Sequence, residues 1–118
     1  IFLLRRPVWT GERLQIDLPA LAHPLRLHLR AAGFRPEGLP PARLAVFWNG
    51  RPVAETTLER SFEPHEVTVD LSPPPGGTDG PVCLELRMDT WNPRDTGYSD
   101  DPRNLGILLQ SLLVQEMD

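Results

Sequence analysis

Prolines cut this sequence into short pieces, and inside those pieces apolar and polar residues alternate. There are 14 prolines in 118 residues. Proline fixes its own φ and has no N–H to donate, so such punctuation leaves little room for long helices. The runs between the prolines have a period of two. Leu14, Ile16 and Leu18 alternate with Arg13, Gln15 and Asp17. Leu25, Leu27 and Leu29 alternate with Arg26, His28 and Arg30. Leu44, Val46 and Trp48 alternate with Arg43, Ala45 and Phe47. Val67, Val69 and Leu71 alternate with Thr68 and Asp70, and Val82, Leu84, Leu86 and Met88 with Cys83, Glu85, Arg87 and Asp89. Successive side chains of a strand point to opposite faces, so each run has one apolar and one largely polar face. This is the pattern of antiparallel sheets with one wet side.

Turn chemistry agrees. Asn49-Gly50 supplies the two positive φ values of a type I′ turn, whose twist matches its flanking strands. The strand 43–48 is predicted to fold back onto 51–58, and Pro52 puts the return strand at a sheet edge. Loops rich in proline and glycine are predicted at 33–41, 72–81 and 91–105. The segment 106–115 fits two patterns. Ile107, Leu108, Leu109, Leu112, Leu113 and Val114 suit a helical stripe as well as a strand apolar on both faces. The strands before it favour a strand. The opening Ile1-Phe2-Leu3-Leu4-Arg5-Arg6 suits a first edge strand or the end of a membrane helix, and the strand is favoured. The expected fold is all-β: an antiparallel two-sheet sandwich of jelly-roll type with seven to nine strands. Residues 1–118 form one domain in this reading, and a start at Ile1 predicts a piece of a longer protein.

Composition narrows the partners. The net charge is −4, and the 12 basic residues, all arginine, are spread along the chain. Nucleic-acid binding needs a basic face, so it is not expected. No apolar run approaches the roughly 18 residues of a membrane span. Cys83 is the one cysteine, so an internal disulfide is excluded, and its place between Val82 and Leu84 suits packing.

Catalytic motifs are missing. There is no G-x-S-x-G, P-loop, G-x-G-x-x-G or H-E-x-x-H. His23, His28 and His65 lack metal-ligand spacing and a cysteine partner. No catalytic residue, no metal-ligand set and no cofactor are therefore expected. Asp89, Asp95, Asp100 and Asp101 offer oxygen ligands to a structural calcium ion, but without EF-hand spacing. Solvated turn aspartates paired with Arg94 or Arg103 are the favoured reading.

Aromatic residues are few, so their placement matters. Sugar-binding modules stack exposed rings on apolar sugar faces and bond hydroxyls with carboxylates and amides. Trp91-Asn92-Pro93-Arg94-Asp95 and Tyr98-Ser99-Asp100 put such groups in one loop. Trp91, Tyr98, Asp100 and Arg94 are the candidate ligand-binding residues. The competing reading has Trp91 and Tyr98 pinning the loop, Trp48 in the core and Trp9 capping an open end. Asn49, Gly50, Asp101, Arg103 and Gly106 are structural turn candidates. Asp101 suits a bond from a nearby backbone N–H, Arg103 a fork onto a carboxylate or loop carbonyls, and Gly106 a close passage between strands.

Three segments in order carry a resemblance. They are Ala45-Val46-Phe47-Trp48-Asn49-Gly50-Arg51-Pro52-Val53, then Val67-Thr68-Val69-Asp70-Leu71, then Trp91-Asn92-Pro93 with Asp101-Pro102-Arg103-Asn104-Leu105-Gly106-Ile107. Together they resemble the galactose-binding-like jelly-roll modules appended to bacterial glycosyltransferases and other surface-polysaccharide proteins. The resemblance spans most of 43–110. It implies a jelly roll with an accessory role beside a sugar-active or membrane-linked domain, in a cell-envelope or extracytoplasmic setting. It carries over no binding site.

The expected function is a non-catalytic accessory module that binds carbohydrate or docks on a neighbouring domain of the same protein. A structural or protein-interaction domain without a small ligand is the alternative. A small hydrolase on a jelly-roll scaffold ranks below both.

Overall fold

The computed structural model describes residues 2–19, 23–72 and 81–117. Among them nine strands form two antiparallel sheets. They are β1 (Phe2–Leu4), β2 (Val8–Trp9), β3 (Arg13–Leu18), β4 (Leu25–Ala32), β5 (Ala42–Trp48), β6 (Arg51–Leu58), β7 (His65–Leu71), β8 (Val82–Met88) and β9 (Leu108–Glu116). One sheet runs β1-β9-β4-β7, with β2 also on β9; the other runs β3-β8-β5-β6. If β1 and β2 are taken as one interrupted strand, this is the strand order of a jelly roll. The chain crosses between sheets at nearly every connection, so strands close in space are far apart in sequence. Most of the expected loop 72–81 lies outside the described residues. No helix among them is long and apolar enough to cross a membrane.

The alternating runs fill the space between the sheets. Leu25, Leu27 and Leu29 of β4, Val69 and Leu71 of β7, and Leu109, Leu112 and Val114 of β9 face the core from one side. Ile16 and Leu18 of β3, Leu44, Val46 and Trp48 of β5, and Leu84, Leu86 and Met88 of β8 face it from the other. Each such side chain contributes about 1.5–3 kcal/mol by leaving water. Trp48 is buried, and its indole N–H donates to the Ser72 carbonyl at 2.7 Å.

The hairpin forms at Asn49-Gly50, with φ of 51° and 85°. Trp48 pairs with Arg51, and β6 lies at a sheet edge, as Pro52 requires.

Segment 106–115 is a strand over β9, and its mixed periodicity has a physical cause. Ser111 pairs with Arg30, but Leu109 pairs with Ala31. Gln110 is therefore an extra residue in the ladder, a β-bulge. The bulge lets Leu109 and Leu112 both face the core, three residues apart, which imitates a helical stripe.

Candidate functional site

The 91–105 loop folds over one end of the sandwich and is braced from within. Trp91 and Leu105 exchange backbone hydrogen bonds of 2.9 and 2.8 Å across its base. Asn92 organises the interior. Its amide NH2 donates to the Pro102 carbonyl at 3.0 Å and to Asn104 Oδ1 at 3.1 Å. Its Oδ1 accepts from the Asp95 N–H at 3.1 Å. The Tyr98 N–H donates to the Pro93 carbonyl at 2.9 Å and so presents the Tyr98 ring. Asp101 accepts the Arg103 backbone N–H at 3.0 Å and binds the Arg103 guanidinium through both carboxylate oxygens, with contacts down to 2.8 Å. The Arg103 side chain, then its N–H, hold the Asp101 pKa down at about 2.

Behind the loop, the chain passes itself closely at Gly106. A Cβ there would run into the Gly11 carbonyl oxygen, the Thr10 hydroxyl and the Met88 side chain. The Gly106 N–H donates to the Thr10 carbonyl at 2.7 Å, and buried Thr10 accepts the Ile107 N–H on its hydroxyl at 3.0 Å.

Three loops then meet in an aromatic cluster. Trp91 sits at its centre, with ring centroids 6.3 Å from Trp9, 5.6 Å from Phe34 and 5.6 Å from Tyr98, all edge-on. Phe34 stacks on Phe62 at 4.0 Å and 11°. These five rings border a cleft of about 200 Å³ together with Pro93 and Leu105. Phe62 is 52% exposed and Tyr98 53%, so both residues reach solvent. Trp91 is 6% exposed, and its indole N–H finds no acceptor among the described residues.

On another side of Trp91 lies a second cleft of about 290 Å³, whose wall includes Arg35, Arg43, Asp89, Thr90 and Thr96. Arg35 is buried, and its guanidinium donates only to backbone carbonyls. Burial pushes its pKa down, and the charge of Asp89 opposes that shift. The first cleft lies below the usual range of roughly 300–1,000 Å³ for drug-sized ligands and the second at its lower edge, so each suits a small group. A third cleft, over the outer face of the second sheet, is charged, and its arginines have partners. Arg43 reaches Asp89 at 3.2 Å, Arg13 reaches Glu85 at 3.6 Å, and Arg87 also bonds Glu85.

Neither a protein family nor a curated protein matches the sequence. Solved structures do resemble the fold. The EclA C-terminal domain, a sugar-binding protein, superposes with a TM-score of 0.60 at 13% identity, over 97% of this chain and 76% of its own. The CBM36-1 domain of a multidomain xylanase from the hindgut metagenome of Trinervitermes trinervoides gives 0.56 at 11% identity, over 95% and 77%. The carbohydrate-binding module CBM36 in complex with calcium and xylotriose gives 0.54 at 6% identity, over 98% and 89%. The chain has the fold of a carbohydrate-binding module.

Within that fold the candidate residues separate. Trp91 is enclosed, so its face is not open to a ligand; it supports the rings around it. Tyr98 is the exposed ring of the loop. Arg94 and Asp100 stay exposed and make no side-chain hydrogen bond or ion pair among the described residues. Asn92, whose amide suggested hydroxyl recognition, is occupied inside its own loop.

The four candidate aspartates do not gather into one ligand set among the described residues. No three His, Cys, Asp or Glu residues converge among the described residues. Asp101 is held by Arg103 and Asp89 by Arg43.

Phe34, Phe62 and Arg35 were not foreseen. Each lies in a loop, outside any alternating run. An aromatic residue stranded in a loop is a usable signal, since no sheet face accounts for it.

Proposed function

We propose that this domain is a non-catalytic accessory module that binds carbohydrate at the loop end of the sandwich, beside a polysaccharide-processing partner domain. The observation that carries the reading is the pair of exposed rings, Tyr98 and Phe62, held against Phe34 and Trp91. Aromatic rings present a flat apolar face with little side-chain entropy to lose, which suits the apolar face of a pyranose. The sugar-binding neighbours of the same fold support the reading.

Affinity gel electrophoresis on a panel of plant and bacterial polysaccharides tests it. At least one polymer should retard the domain. Tyr98→Ala and Phe62→Ala should each weaken that retardation by roughly tenfold, the value of about one uncovered ring face. Retardation unchanged in both variants would remove the aromatic site.

A second reading, docking on a neighbouring domain, is favoured by Leu3 and Val8, which are exposed on β1 and β2. Isolated apolar residues of this kind are ordinary on monomer surfaces, so it ranks second.

A further inference from the structure

Arg35 is 4% exposed, and its guanidinium makes three hydrogen bonds: to Phe34 O at 2.9 Å, Gly106 O at 2.7 Å and Asp89 O at 2.7 Å. All three acceptors are neutral carbonyls. A guanidinium has five N–H donors, so two remain. A buried charge is costly unless it is paired, and carbonyl dipoles compensate it only in part. The nearby carboxylate is Asp89, which Arg43 already bonds at 3.2 Å.

Arg35 lines the 290 Å³ cleft with Trp91, Arg43 and Thr90. Trp91 brings a buried N–H without an acceptor among the described residues. Buried polar groups are nearly always satisfied, so such an orphan donor calls for an explanation. The cleft is thus lined by two arginines, two threonines and Trp91, whose buried indole N–H has no acceptor among the described residues, against one engaged carboxylate. Its charged side chains are two arginines to one aspartate, so donors and positive charge outweigh its acceptors.

We propose that this cleft takes the carboxylate of an acidic sugar, a uronic acid of the polysaccharide that the Tyr98–Phe62 rings engage. A planar carboxylate matches the guanidinium fork and would supply further acceptors. The two clefts share Trp91, so sugar stacking and acid recognition would lie on either side of one side chain. The inference rests on the carbohydrate-binding reading. It also explains how selectivity for an acid can arise in a domain of net charge −4, which repels polyanions at long range.

The test compares acidic polymers with their own neutral forms. Polygalacturonate, alginate and a glucuronate-bearing xylan are each used before and after reduction of the carboxyl groups to alcohols. Affinity gel electrophoresis then gives the ratio of acid to neutral affinity. For at least one pair the ratio should be about tenfold or more, as expected for charge-assisted hydrogen bonds in a desolvated cleft. Arg35→Gln should bring that ratio close to one. Because Arg35 also ties three loop carbonyls together, that variant can fail to fold. Trp91→Phe and Arg43→Gln provide the second arm and should each lower the ratio several-fold. A ratio of one or less for every pair overturns the inference. So does a high ratio that Trp91→Phe and Arg43→Gln both leave unchanged, since the charge preference then lies elsewhere. If neutral forms retard the domain and reduction changes nothing, only this inference falls. If no polymer retards it in either form, the carbohydrate reading falls too.

Discussion

Single residues at the loop end act mostly as fasteners. Asp101 is the clearest case, because Arg103 binds it by side chain and backbone. Its carboxyl is held at about 2, below the ordinary 3.8. A depressed carboxyl pKa gives a stabilisation that is fully present above the unfolded value and is lost as pH falls through the folded one. The 91–105 loop should therefore stay closed at pH 5 and loosen between pH 4 and 2. An NMR titration of the Asp101 carboxyl and the Arg103 Nε–H reads this directly, and a midpoint near 4 would show that the pair does not hold in solution. Gly106 fastens in another way, by having no side chain. Gly106→Ala would place a methyl against backbone and Thr10. The expected loss is about 2–4 kcal/mol, seen as a lower urea midpoint at unchanged slope. Thr10 closes the same junction, since its hydroxyl accepts the Ile107 N–H and donates to the Met88 sulfur at 3.3 Å.

Elements were legible in the sequence wherever the period stayed at two. β3, β4, β5 and β8 are such cases, and the Asn49-Gly50 turn marked the β5–β6 join. β9 resisted because one bulge residue, Gln110, breaks the alternation and makes its apolar residues look helical. The candidate site was legible only in part, for a different reason. Trp91 and Tyr98 share one loop and could be read together. Phe34, Arg35 and Phe62 come from loops remote in sequence, and a local pattern carries no information about which loops the sheets bring to one end. Burial was legible only as one of two readings: loop pinning fits Trp91, which its neighbours cover, while Tyr98 stays exposed. β9 also supplies a prediction at this scale. It lies between β1 and β4, and Leu112 is fully buried at its centre. Leu112→Ala should cost about 2–5 kcal/mol by chemical denaturation. A loss under 1 kcal/mol would mean that β9 is not the inner strand of its sheet.

At the scale of the whole molecule, the sandwich stands on its core. A closed apolar interior between two four- to five-stranded sheets holds the loops in place, and two of the acidic residues at this end, Asp89 and Asp101, are already paired with arginine. A ligand bound only by the folded state must raise its stability. The melting temperature is therefore expected to be the same with millimolar calcium and with a chelator. A drop of several degrees on chelation would establish a metal site that the described carboxylates do not form. The tryptophans allow one more use of this architecture. Trp9 and Trp91 share the loop-end cluster, while Trp48 is anchored in the core to Ser72. The molecule thus carries two optical reporters in different places. A ligand at the loop end should perturb the emission and near-ultraviolet dichroism of the Trp9–Trp91 pair and leave the Trp48 signal in place. Unfolding should change both at once, so intrinsic light alone separates occupancy from collapse.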